Sequence, residues 1–161
     1  MRCDSHTHIV GEIDRYEQVP TRTYQAGIAR LEDLERNGAS RDVRRFVLVQ
    51  ISVYGTDNTL LLEGLDSLGE RGRGVIAVDP RTADRDQLKA WHARGVRGLR
   101  LNLYSPAALR ASGGRLDEAF AAQAALAGSL GWHVEVIAPI QLVAEKADLL
   151  ARSPVPVVLD H

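Results

Sequence analysis

The stretch that decides the fold is MRCDSHTHI, residues 1–9, a short run typical of a β-strand that ends in His6, Thr7 and His8. Side chains alternate between the two faces of a strand, so His6 and His8 point the same way. Two imidazoles at one strand end indicate the floor of a catalytic or metal site. The alternative is a solvated pair of histidines on a terminal strand, and this stretch alone leaves both interpretations open.

Further apolar runs of strand type continue along the chain, separated by five segments with helical spacing of apolar residues, the last of them marked by Val143, Ala147 and Leu150. Most of these runs are rich in β-branched residues and nearly continuously apolar, as expected for strands covered on both faces. Gly38, Gly72, Gly95 and Gly131 are predicted to end helices in a left-handed conformation, and Asp84 is predicted to cap a helix. The predicted strands are residues 2–9, 45–52, 74–79, 96–103, 133–137 and 155–160.

The alternation of strands and helices predicts an α/β fold with parallel strands in a single domain, residues 1–161. Two architectures fit this pattern: an open doubly wound sheet and a (β/α)8 barrel. The sequence lacks G-x-G-x-x-G and Walker motifs after any strand, which removes the usual fingerprints of the open sheet. A closed barrel needs eight strands and about 250 residues, whereas six strands are predicted here.

Composition restricts the class of protein. The chain has 161 residues, is 45% hydrophobic and 25% charged, and carries a formal charge of -1, which is typical of a globular domain and argues against nucleic acid as a partner. The single cysteine, Cys3, rules out an intramolecular disulfide, suits a reducing compartment and is expected to be buried. No apolar run approaches about 18 residues and no signal peptide is recognisable, so we expect a cytoplasmic protein without a membrane span.

Polar side chains gather where the predicted strands end. Arg100 offers a planar fork suited to a carboxylate, although it can instead pair with an acid such as Glu135 inside the barrel. Ser52 is a candidate for substrate binding, although it can simply begin a loop or cap a helix. The polar residues at strand ends are His6, His8, Gln50, Ser52, Asp79, Arg100, Asn102, Asp160 and His161.

Five segments in order resemble the amidohydrolase superfamily, and more specifically its amidohydrolase 2 branch, which includes 2-pyrone-4,6-dicarboxylate lactonase. The resemblance covers essentially the whole chain and implies a (β/α)8 TIM-type barrel that is truncated after strand six. The aspartate of strand eight, the usual general base of this family, has no counterpart here. The segments are CDSHTHI (3–9), VQISVYGTDN (49–58), GVRGLRLN (95–102), GWHV (131–134) and PVVLDH (156–161).

The resemblance also implies roles for particular residues. His6, His8 and His161 match histidines that hold a divalent ion, usually zinc, in metal-dependent relatives. In the lactonase branch, catalysis proceeds without a metal and the imidazoles polarise the scissile carbonyl. The residues implied in binding a substrate carboxylate are Ser52, Arg100, the neighbouring Asn102, and Tyr24 on the loop after strand one.

We therefore expect a hydrolase that opens a small lactone or carboxylated ester, with zinc or without a cofactor. One alternative is a metal-dependent decarboxylase of the same superfamily, and another is an inactive fragment or pseudoenzyme subunit. The expected partner is a small carboxylated molecule, and a homo-oligomer remains open. Ile137 replaces the strand-five tyrosine of the lactonase, and no further basic residue follows Arg100 closely, so a dicarboxylated pyrone would lose anchors.

Overall fold

The computed structural model describes residues 2–104 and 116–160, which form one sheet of parallel strands with helices between them. Six strands were expected, and the described residues form six. The fifth matches its predicted range, and the others are shorter than theirs or shifted slightly from them. They are β1 (Arg2–Thr7), β2 (Val43–Val49), β3 (Gly72–Ile76), β4 (Val96–Asn102), β5 (His133–Ile137) and β6 (Val157–Leu159).

The order of the strands decides between the two predicted architectures. In space the order is β1-β2-β3-β4-β5-β6, the same as along the chain, and every neighbouring pair is parallel. A doubly wound sheet reverses its strand order at a switch point, whereas a (β/α)8 barrel adds strands in sequence. The sheet therefore has the topology of the first six strands of a (β/α)8 barrel.

Helices follow the strands where the apolar spacing predicted them. Asp84 caps the third helix as expected, because its side chain accepts hydrogen bonds from the backbone N–H groups of Asp86 and Gln87. The last predicted helix is divided into two short ones. The helices are α1 (Leu31–Ala39), α2 (Thr59–Leu68), α3 (Arg85–Ala93), α4 (Leu116–Gly128), α5 (Ile140–Glu145) and α6 (Ala147–Ala151).

The apolar core lies between the helices and one face of the sheet. Leu48, Ile76 and Leu99 of the central strands are fully buried there and belong to the same cluster as Leu65 of α2. The side chains that alternate with these core residues point to the other face, which is the interior of the barrel. Arg100 lies on that interior face and is buried as well, so charged groups occur inside the barrel.

Some local predictions were wrong. Gly38 lies inside α1 and Gly72 has an extended backbone at the start of β3, so neither adopts a left-handed conformation. Gly95 and Gly131 do, with φ of 107° and 67°. Cys3 is exposed rather than buried, because β1 is an outer strand of the sheet and its pairing with β2 is irregular.

None of the helices in the described ranges is both long enough and apolar enough to cross a membrane.

Candidate active site

Two side chains at the end of β1, those of Thr7 and His8, are hydrogen-bonded to β2. Thr7 is the last residue of the strand, and its hydroxyl donates a hydrogen bond to the carbonyl of Val47 on β2 at 2.9 Å. His8 lies just beyond the strand, and its Nδ1 bonds the Val49 carbonyl at 2.8 Å. These two bonds attach the strand end to β2 and hold the imidazole of His8 in a fixed orientation.

His6 and His8 lie side by side, as the alternation of a strand predicts. Their Nε2 atoms are 3.3 Å apart, and their rings meet edge to face with centroids separated by 4.9 Å. Burial lowers the pKa of His8, a shift that the charges of Arg100 and His6 reinforce and that the bond to Val49 opposes. His8 is therefore a neutral imidazole at neutral pH.

Two buried carboxylates stand behind His6. Its Nδ1 lies 3.5 Å from Oε1 of Glu135 on β5 and 3.5 Å from Oδ1 of Asp160, which follows β6. Burial raises the pKa of Glu135 to about 7; the nearby Arg100 charge opposes this shift and the Asp160 charge adds to it. The site thus combines an imidazole from β1, an acid from β5 and an acid that follows β6.

Arg100 connects the two acids to β2. Its Nη2 donates to Oδ2 of Asp160 at 2.6 Å and its Nη1 donates to the carbonyl of Gln50 at 2.6 Å. Nε lies 3.9 Å from Oε1 of Glu135, and neither atom has a hydrogen-bond partner in the described part of the chain. The guanidinium pairs with an acid inside the barrel, as the alternative interpretation held, and Asp160 is the nearer acid; its contact with a substrate carboxylate stays a prediction.

Three of the remaining predicted site residues lie at the end of a strand or on the segment that follows one. Ser52 is half-buried and opens a short 3-10 turn, Ser52–Tyr54. Asn102 ends β4, and its side-chain oxygen accepts the backbone N–H of Tyr104. Tyr24 is 49% exposed on the segment between β1 and α1. His161, predicted as the third histidine, lies outside the described residues.

Sequence reasoning missed the buried amides that shape the rim. Gln50 donates through its side chain to the carbonyl of Asp57 at 2.6 Å. Asn58 donates to the carbonyls of Thr56 and Ala77 and accepts the N–H of Ala77 at 3.0 Å. These bonds attach the segment after β2 to the end of β3. The polarity of Gln50 just after an apolar strand was an available indication, whereas Asn58 lies immediately before α2.

Asp160 was noted as a polar strand end but not as a site residue. Its role depends on register: β4 pairs Arg100 with Glu135 of β5, and β5 pairs Glu135 with Val158 of β6. Asp160, two residues after Val158, therefore shares the interior face.

In the described ranges, one group has the composition of a metal site: ligand atoms of His6, Glu135 and Asp160 all lie within 4.8 Å of one another.

Two curated proteins are similar in sequence to this chain over nearly its whole length. A 2-pyrone-4,6-dicarboxylate hydrolase from Comamonas testosteroni is 29% identical over 98% of this chain and 50% of its own length. A 4-sulfomuconolactone hydrolase from Hydrogenophaga intermedia is 24% identical over 98% of this chain and 51% of its own length. The chain spans about half the length of the curated relatives it matches.

Two solved structures share the fold. A probable 2-pyrone-4,6-dicarboxylic acid hydrolase from Acinetobacter baumannii has a TM-score of 0.77 at 23% identity, covering 99% of this chain and 57% of that one. An Agrobacterium tumefaciens protein has a TM-score of 0.80 at 18% identity, covering 96% of this chain and 54% of that one. The amidohydrolase family model matches residues 3–161. With nearly its whole length matched by that model, the chain belongs to the amidohydrolase family.

Proposed function

We propose that this protein hydrolyses a small lactone that carries a carboxylate or another acidic group. One observation carries the proposal: the Nε2 atoms of His6 and His8 lie 3.3 Å apart where parallel strands end, with a buried arginine and two carboxylates behind them. Active sites of β/α barrels form at this end of the strands. The curated relatives described above are named as hydrolases of two acidic lactones, which supports the substrate class.

Opening of a lactone needs a polarised carbonyl and an activated water. The two imidazoles present Nε2 to the same point. Where Nε2 carries a lone pair it can take a proton from the attacking water, and where it carries a hydrogen, as in a protonated imidazole, it can polarise a carbonyl oxygen. His161, the third histidine of the predicted set, completes this group in the proposal. Removing a group that takes part in such proton transfer and polarisation costs about 10²- to 10⁴-fold in rate.

A divalent ion also fits the two imidazoles. Two nitrogen ligands of a tetrahedral zinc ion, each at about 2.1 Å from the metal, lie about 3.4 Å apart, and the Nε2 atoms of His6 and His8 are 3.3 Å apart. We propose His6, His8 and His161 as the residues that would hold the ion. When bound, it would act as a Lewis acid on the carbonyl and lower the pKa of water.

The acidic end of the substrate is proposed to meet Ser52, Asn102, Tyr24 and Arg100. Arg100 has two of its nitrogens engaged by Gln50 and Asp160, so it acts on the substrate mainly through its charge and through Nε. The hydroxyl of Ser52 and the amide of Asn102 lie at strand ends nearer the rim. Asp160 and Glu135 offset the charge of Arg100, so the preference for an anionic lactone in this proposal rests chiefly on the substrates named for the curated relatives.

The proposal is tested by measuring proton release from 2-pyrone-4,6-dicarboxylate, 4-sulfomuconolactone and an uncharged lactone, with added zinc and with a chelator. We expect hydrolysis of at least one acidic lactone and a loss of about 10²-fold or more in His6→Asn and His8→Asn. Glu17→Gln, an exposed acid on the segment between β1 and α1, serves as the control. Release of CO2 with the ring intact would indicate the decarboxylase instead, and unchanged rates in both histidine variants would contradict the proposed site.

A further inference from the structure

Which ring nitrogen of each imidazole carries the hydrogen can be inferred from the atoms that lie next to its Nδ1. Nδ1 of His8 lies 2.8 Å from the carbonyl oxygen of Val49. A carbonyl only accepts hydrogen bonds, so the ring hydrogen of a neutral His8 must lie on Nδ1. Its Nε2 then carries a lone pair directed toward Nε2 of His6.

His6 faces a different environment on the same side of its ring. Its Nδ1 lies 3.5 Å from one oxygen of Glu135 and 3.5 Å from one oxygen of Asp160. A hydrogen on Nε2 alone would let His6 donate to Nε2 of His8 at 3.3 Å, but the lone pair of Nδ1 would then face two acidic oxygens whose side chains are almost fully buried. A hydrogen on Nδ1 converts both of these contacts into attraction, and two contacts with acids outweigh one with a neutral imidazole.

The two acids are held in place independently of His6. Arg100 bonds the second oxygen of Asp160 at 2.6 Å, which leaves Oδ1 directed toward the imidazole. Glu135 lies opposite Arg100 in the pairing of β4 with β5. Oε1 of Glu135 is buried and has no hydrogen-bond partner in the described part of the chain, which is costly for a carboxylate oxygen unless a donor approaches.

We propose that Glu135, with Asp160, is a positioning residue that fixes a hydrogen on Nδ1 of His6, so that the Nε2 atoms of His6 and His8 face the reaction site together. A carboxylate behind His6 and a backbone carbonyl behind His8 are the partners that orient imidazoles in metal and hydrolytic sites. The catalytic meaning of this assignment rests on the proposed lactone hydrolysis, whereas the placement of the hydrogen does not.

The placement is tested on the uniformly ¹⁵N-labelled chain without substrate, by recording the ring nitrogen signals of each histidine at pH 8 by NMR. We expect Nδ1 of His6 to bear hydrogen in the unaltered protein and to lose it, at least in part, in Glu135→Gln. His8 serves as an internal control, because its bond to Val49 is untouched and its tautomer should not change. Hydrogen on Nε2 alone of His6 in the unaltered protein would overturn the proposal.

A second set of variants guards against a folding defect. Asp160→Asn removes the other acid, and Glu135→Asp keeps the charge with a shorter side chain, so the His6 signals of Glu135→Asp should lie nearer to those of the unaltered protein. Unchanged His6 signals in both Glu135→Gln and Asp160→Asn would also overturn the proposal.

Activity supplies the readout that separates this proposal from the proposed function. In Glu135→Gln we expect kcat for the acidic lactone to fall about 10- to 100-fold, the usual cost of losing such a partner, with KM little changed. A shifted His6 tautomer in a protein without lactone hydrolysis would leave the positioning role intact and remove the proposed function. Hydrolysis with an unaltered His6 tautomer in both Glu135→Gln and Asp160→Asn would leave the proposed function intact and remove the positioning role.

Discussion

Replacing Glu135 by glutamine should remove a pH dependence of the free energy of unfolding that arises from the burial of this carboxyl group. The pKa of Glu135 is raised from 4.5 to about 7 by burial, so between these two values the folded chain binds more protons than the unfolded chain. Stability contributed by this group is present in full below pH 4.5 and is lost as the pH rises toward 7. The sign is opposite to that of an ion-paired surface acid.

The magnitude follows from the two pKa values. One pKa unit corresponds to about 1.4 kcal/mol, so the difference between 4.5 and about 7 amounts to a loss of about 3 kcal/mol in the free energy of unfolding by pH 8. The side chain of Glu135 is only 3% exposed, so solvent screens this effect little. An amide cannot ionise, and Glu135→Gln should therefore lack the loss.

The assay is urea unfolding of the 161-residue chain at pH 5, 6, 7 and 8, for the unaltered protein, Glu135→Gln and the control Glu17→Gln. Burial lowers the pKa of His8, which makes stability rise with pH over part of this range. Comparison of the variants removes that contribution, because His8 is present in all three. The reasoning is refuted if Glu135→Gln loses as much stability between pH 5 and pH 8 as the unaltered protein.

Three other substitutions test the packing and the turns by thermal or urea unfolding. Leu65→Ala should cost about 2–5 kcal/mol because Leu65 is fully buried against the sheet, and a cost below 1 kcal/mol would contradict the described core. Gly95→Ala should cost about 1–3 kcal/mol because φ is 107° and a Cβ would lie 3.2 Å from the Gly72 carbonyl; Gly27→Ala, with open space around it, is the control. Asp84→Ala removes the cap of α3 and should cost about 1 kcal/mol; no change would show that the cap does not form.

Much of the architecture could be predicted from local pattern. Short β-branched runs predicted the positions of all six strands. The helical spacing of apolar residues predicted the positions of α1 to α4 within a few residues. Strand order could not be predicted from the pattern, because a doubly wound sheet and a barrel share the same alternation of elements. Only the pairing of distant segments distinguishes them, and it depends on the whole tertiary structure.

The site could be predicted only where it depends on neighbours in sequence. His6 and His8 are two residues apart, and their closeness follows from strand geometry alone. Asp160 reaches His6 through the register of β4, β5 and β6, and no pattern within one segment encodes that register. Cys3 illustrates the same limit, since an outer strand with irregular pairing exposes positions that an inner strand would bury.

The sequential strand order has a consequence for synthesis on the ribosome. Every strand docks on the one made just before it, so each emerging βα unit finds its template already in place and never has to insert between two formed strands. Such a sheet grows from its N-terminal side at the pace of translation, which is about 5–20 residues per second. We expect a nascent chain whose first 102 residues have left the ribosome to carry protected amides in β2 and β3 before β5 and β6 have emerged. The acid pair behind His6 can assemble only when the last of these strands has emerged.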